Sequence, residues 1–187
     1  MSKVVIAGDA SGTGTFTISA PNGNTDRTLV LPDEAGTVLT SASNIAQQST
    51  QNQVSFACVL STDQNVSSNT WTKITFDSAL LDSNGFFDTT VNKFQPTIAG
   101  WYQINLSLSM QGSSIARLIT RIYKNGANFR MISYNSGYTS SAAGTGSFLL
   151  YMNGSTDYLE GYGYPTATSP KFKSSECEFS GFLVRVD

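Results

Sequence analysis

The residues that could serve acid and base chemistry are carboxylates, because the chain contains no histidine. That removes the commonest general base and metal ligand, and with them any Ser-His-Asp triad. Asp157 and Glu160 are the closest local carboxylate pair, the residue type that hydrolyses glycosides, but at this spacing on a strand they point to opposite faces. Asp63, Asp77, Asp82, Asp88 and Asp157 could offer oxygens to calcium, yet no loop carries acids at alternating positions, so solvated turn aspartates account for them. Gly144-Thr145-Gly146 lacks the lysine and following helix of a phosphate-binding loop. The expectation is a protein without enzyme activity and without a cofactor or resident metal.

Recognition by contact is better served. Tyr134 and Tyr138 sit in or beside segments rich in Ser, Asn and Gly, where rings stack on apolar sugar faces and amides bind hydroxyls, so both are expected glycan contacts. Tyr162 and Tyr164 share one face of a strand and read as core or subunit contacts. Two cysteines, Cys58 and Cys177, make no disulfide framework and are expected to be free and buried.

Composition narrows the partners. Charged residues are 13% of the chain, whereas it holds 26 serines, 21 threonines and 13 asparagines, a polar but weakly charged make-up that suits pleated strands and turns. The formal net charge is −2 and no stretch gathers Lys or Arg, so nucleic acid is not an expected partner. No run of about 18 apolar residues is present to insert in a membrane, and Met1 to Ala10 lacks the apolar core of a signal peptide.

The elements that must position these residues read as strands. From Tyr102 the chain alternates, with Tyr102, Ile104, Leu106, Leu108 and Met110 on one face and Gln103, Asn105, Ser107 and Ser109 on the other. Pro96 and Ala99-Gly100 turn the chain just before it, so Phe94 and Trp101 flank a corner. Further strands are expected at 54–60, 71–76, 116–124, 129–134, 148–152, 158–164 and 177–186, with a hairpin turn at Asn125-Gly126 and a turn at Asn153-Gly154. The Gly/Ser/Ala-rich segment before Gly146 and the segment 165–175 read as loops. Residues 116–124 carry apolar side chains on both faces, Leu118 and Ile122 on one and Ile119 and Tyr123 on the other, which points to a subunit interface. Some eight to ten strands after residue 53 and no convincing helix suit an all-β, antiparallel jelly-roll sandwich.

Residues 1–45 differ: three short strands too small to fold alone, with Phe16, Ile18, Leu29, Leu31, Val38 and Leu39 as the expected anchoring side chains of a β-arm. Residues 46–53 read as a linker. The stretch from Gly14 to Thr40, with its Ala-Pro-Asn, Asn-Thr-Asp-Arg-Thr-Leu and Leu-Pro-Asp-x-x-Gly-Thr pieces, resembles a segment of bacteriophage tail-fibre and other virion-surface proteins.

From 54 to 187 the chain resembles the C1q/tumour-necrosis-factor-like domain. The resemblance rests on Phe94-Gln95-Pro96 through Ala99-Gly100-Trp101-Tyr102, on Tyr123-Lys124-Asn125-Gly126, on Asp157-Tyr158-Leu159 and on the closing Phe179-Ser180-Gly181-Phe182-Leu183. It implies a homotrimer of jelly rolls. Phe94, Trp101, Tyr102, Ile119, Tyr123, Leu149, Tyr151, Tyr162, Tyr164 and Phe182 would then be trimer or core contacts, with calcium near the axis in some members and with the first and last strands side by side, close enough for Cys58 and Cys177 to bond. No collagenous stalk precedes the domain, and the phage-like arm stands in its place. The combined reading is a homotrimeric capsid decoration, cement or head-fibre protein, assembled in the host bacterial cytoplasm and displayed on the virion surface against the major capsid or another virion protein. The alternatives are a tail-fibre tip that binds a host surface glycan and, from another class, a free bacterial carbohydrate-binding module.

Overall fold

The alternation that starts at Tyr102 becomes the spine of the structure. In the computed structural model, which describes residues 11–13, 23, 28, 54–174 and 176–186, Tyr102, Ile104, Leu106, Leu108 and Met110 are all fully buried. The strand that carries them, β7, runs unbroken over Ala99–Lys124. It joins two stretches that read as separate strands. Between them Ser114 takes a positive φ of 51°, which re-aims the chain without breaking its pairing.

Eleven antiparallel strands are present among the described residues. Before β7 come β1 (Ser55–Val59), β2 (Gln64–Asn65), β3 (Thr72–Lys73), β4 (Ser78–Asp82), β5 (Phe87–Asp88) and β6 (Lys93–Phe94). After it come β8 (Ala127–Tyr138), β9 (Ser141–Asn153), β10 (Leu159–Phe172) and β11 (Glu178–Val186). The first half of β7 lies between β9 and β11, and β11 continues to β1 and β4, which makes one wall. Its second half lies between β8 and β10, and β10 carries β2, β3 and β6, which makes the other. This is the jelly-roll sandwich, with one strand serving both walls.

The core between the walls is aromatic. Phe56 of β1 stacks on Phe94 with ring centroids 4.1 Å apart and meets the Phe179 ring edge-on at 5.1 Å. Such pairs add about 0.5–1.5 kcal/mol beyond their burial. Tyr102, also buried, donates its hydroxyl to the Ile98 carbonyl at 2.8 Å, which satisfies its polar tip and pins the corner before β7. The glycines of the two most distinctive sequence pieces have a steric reason. A side chain at Gly100 would strike the Arg185 carbonyl, and one at Gly181 would lie 2.7 Å from the Gln103 carbonyl and 2.9 Å from the Phe56 ring. Both let β7 and β11 close over the core.

Three expectations are corrected. The segment before Gly146 is not a loop, because β8 extends to Tyr138 and β9 begins at Ser141. The segment 165–175 is not a loop either: β10 continues through Pro165 to Phe172. Conversely, of 71–76 only Thr72–Lys73 joins a ladder, although Ile74 and Phe76 beyond it are fully buried. The hairpin at Asn125-Gly126 is as expected, with φ of 55° and 74° at its two residues.

By its contacts the chain divides into two compact units, Met1–Thr40 and Ser41–Asp187. The expected β-arm with Phe16, Ile18, Leu29, Leu31, Val38 and Leu39, and the linker, lie outside the described residues.

Candidate functional site

The residues singled out from sequence separate into three places. Phe94 and Tyr102 are fully buried between the walls. Trp101, Leu149, Tyr151 and Phe182 point outward from the first wall. Ile119, Tyr123, Tyr162 and Tyr164 lie half-buried on the outward side of the second, where Tyr134 is also exposed.

On the first wall, strand register assembles an apolar patch. Trp101 of β7 pairs with Tyr151 of β9, and their rings lie 6.1 Å apart. Gln103 pairs with Leu149 on one side and Phe182 on the other. Trp101 is 44% exposed, Leu149 52%, Phe182 47% and Val184 51%, so four large apolar side chains on three adjacent strands face outward together. Farther along the same strands the face turns polar, into a cleft of about 380 Å³ lined by Asn105, Ser107, Thr145, Glu178 and Ser180 among others.

On the second wall the outward face is aromatic and cationic. Trp71, just before β3, lies 5.2 Å from Tyr164 and 6.3 Å from Tyr123, ring to ring, and Tyr123 stacks on Tyr162 at 3.9 Å. The Arg121 guanidinium sits 4.7 Å over Trp71 and that of Arg117 5.0 Å over Tyr164. Hydrogen bonding to Tyr134, and then to Tyr164, holds the Arg117 pKa above its ordinary value. Burial, followed by the charge of Glu160, raises that of Tyr162. Trp71, Arg117 and Arg121 were not among the sequence candidates. The signal was present, since Arg117 and Arg121 share the face of Ile119 and Tyr123 in the same alternation. Tyr138 stands at the far end of β8 opposite Ile115 and is 41% exposed.

The carboxylates are structural in their contacts. Asp157 bonds Lys124 at 2.8 Å and accepts from the Asn125 side chain and the Asn153 amide. Burial raises its pKa, but these hydrogen bonds outweigh that and hold it below the usual carboxylate range. Glu160 is held by Lys73 at 2.6 Å. Asp63 bridges Lys171 and Lys173. Asp77 accepts from Ser61, Asp82 from the Phe86 and Phe87 amides, and Asp88 from Thr90. No group of three or more acids and cysteines among the described residues could hold a metal ion.

Cys58 and Cys177 are both free and buried. Although β1 and β11 are neighbours, Cys58 is opposite Phe179, and the Cys177 thiol instead meets the Ser109 amide and carbonyl, each at 3.3 Å. Burial pushes the two thiols up to about 12 and about 11.

With these faces in view, the comparisons are informative. The sequence profile of the C1q domain matches residues 38–184. The globular domain of zebrafish complement 1qA is 20% identical, with a TM-score of 0.52 over 72% of this chain and 99% of that one. Murine APRIL at pH 5.0 is 6% identical, with a TM-score of 0.55 over 71% and 100%. The Eiger TNF from S. frugiperda is 11% identical, with a TM-score of 0.54 over 73% and 94%. At such identities the likeness is one of fold. No curated protein matches the sequence.

Proposed function

The chain belongs to the C1q domain family, and from that premise we propose that it is a bacteriophage virion-surface protein. In this reading three jelly-roll heads assemble through the first wall, and residues 1–45 fasten the trimer to the major capsid or another virion protein. Its role is capsid decoration, cement or head fibre, and its work is mechanical: clamping neighbouring shell subunits or holding a binding surface away from them.

The observation that carries self-association is the outward patch of Trp101, Leu149, Phe182 and Val184. Large apolar side chains side by side at 44–52% exposure are what a subunit interface covers. A three-fold arrangement is what the C1q resemblance implies. The virion setting draws on the phage-like stretch from Gly14 to Thr40.

Light scattering on the purified full chain tests the assembly: a mass three times that of the 20.0 kDa protomer is expected, and a monomer at micromolar concentration would sink it. Binding of the full chain and of a version starting at residue 46 to virus shells tests the anchor, which is lost with residues 1–45 if the reading is right.

A second reading, a tail-fibre tip or a free bacterial carbohydrate-binding module, is favoured by the aromatic and cationic outward face of the second wall. Locating the chain's density on the particle, at the head or at the tail, decides between the virion roles.

A further inference from the structure

The four ion pairs among the described residues engage Lys73, Lys124, Lys171 and Lys173, and none engages an arginine. Arg117 and Arg121 instead rest against neutral groups. Arg117 donates from Nε to the Thr166 hydroxyl at 3.1 Å and from Nη2 to the Tyr164 hydroxyl at 3.5 Å. Arg121 lies over Trp71, and its Nε is buried with no acceptor. A guanidinium carries five donors and always its charge, so setting two of them against rings without an anion leaves electrostatic potential and hydrogen-bonding capacity unspent.

Their placement narrows the ligand. Four residues apart on one strand, the two arginines have Cα atoms about 13 Å from each other, with Ile119 between them and Tyr134, 54% exposed, opposite Ile119. An extended chain with anionic groups spaced along it follows that line of residues, and the exposed ring of Tyr134 gives an apolar sugar face a surface to stack on. A nucleic-acid strand calls for a continuous basic groove. Here the neighbouring cation, Lys73, is already neutralised by Glu160 at 2.6 Å.

We propose that the outward face of the second wall, around Arg117 and Arg121, binds an extended carboxylated polysaccharide. A sugar ring lies on Tyr134, and carboxylates of the chain are taken by the two guanidinium groups. This deepens the glycan-binding reading and rests on it, but not on the trimer, because the apolar patch belongs to the opposite wall.

The test is titration calorimetry of the full chain with oligogalacturonate, with the same oligosaccharide methyl-esterified, and with a single-stranded oligodeoxynucleotide. Binding to oligogalacturonate is expected, weakened by salt and lost on esterification. Arg117→Gln or Arg121→Gln should each weaken it at least about tenfold, the scale of one charge-assisted hydrogen bond. The double variant should abolish it, and Arg117→Lys should restore only part. Tyr134→Ala, at an exposed position, weakens binding without touching the fold. Oligogalacturonate that does not bind, that binds equally when esterified, or that binds the double variant as it binds wild type overturns the proposal. So does an oligonucleotide that binds as tightly. Light scattering on the same samples reads assembly separately: Trp101→Lys should lower the mass and leave the oligosaccharide affinity of each chain unchanged.

Discussion

The two outward faces of the sandwich are built from the same strand and differ in almost everything else. Residues 101–107 of β7 show the first wall a tryptophan and then Gln103, Asn105 and Ser107, flanked by the aliphatic and aromatic chains of β9 and β11. Residues 117–123 show the second wall arginine, isoleucine, arginine and tyrosine, flanked by the tyrosines of β10 and β8. The first face leaves large apolar side chains 44–52% exposed. On the second, rings and guanidinium groups cover one another and stay half-buried. Apolar surface left in water is relieved by burial against another copy, whereas a face of stacked rings and unpaired cations is already stable in water and offers specific contacts. One fold can therefore carry assembly on one side and recognition on the other.

That contrast can be broken most severely from beneath, where both faces share a core. Phe179 is fully buried and touches Phe56, Phe76 and Phe87, so Phe179→Ala should cost about 3–5 kcal/mol in chemical denaturation. Either face would then be lost with the other. If only one were lost, the walls would be energetically separate.

Smaller and more selective is Phe182→Lys. At 47% exposure the side chain adds little to the fold of one protomer, so its intrinsic stability should shift by about 0.5 kcal/mol or less, while sedimentation shows the assembly reduced to monomers. An unchanged mass would assign the patch to some other partner.

Acid should act on the loops and not on either face. The carboxyl groups of Asp63, Asp77, Asp88 and Asp157 are all held below the ordinary aspartate value. For Asp63, Asp77 and Asp88 the leading cause is side-chain hydrogen bonding, from Lys173, Ser61 and Thr90; for Asp157 hydrogen bonds overcome burial. Groups depressed in the folded state contribute stability that is complete above the unfolded pKa and is lost as pH falls through the folded one. Thermal melting should therefore be flat near neutrality and drop below about pH 4. In Asp157→Asn the drop should be shallower, from a lower starting point.

The gentlest probe is Tyr134→Phe, which keeps the ring and removes the hydroxyl beside Arg117. Its unfolding free energy in chemical denaturation should match wild type to within about 0.5 kcal/mol, as expected of an exposed position. A larger loss would make the second face a structural brace and not a contact surface.

Much of this was legible in the sequence where local chemistry dictates geometry. The period of two from Tyr102 to Met110 named the buried face of β7 residue by residue, and Asn125-Gly126 named its hairpin, because positive φ is tolerated there. The pieces around Gly100 and Gly181 marked the fold. What stayed hidden were strands with little pattern of their own. Ser141 to Gly146 and Pro165 to Lys171 are poor in apolar residues and resemble loops, yet they are strands because β7 offers each a ladder of backbone partners. The second face was hidden for a related reason. Trp71 and Tyr164 are distant in the chain, and only the closeness of β3 and β10 brings their rings to 5.2 Å.

The sequence by itself determined an all-β chain, the buried side of its central strand, its tight turns and two cysteines with no framework to bond in, since period, φ preference and composition are properties of neighbouring residues. Tertiary structure alone decided that Trp101, Leu149 and Phe182 form one patch and Arg117, Arg121, Trp71 and Tyr164 another. Which strands lie side by side, and in what register, is set by long-range pairing across the whole sandwich, and that pairing turns scattered residues into faces.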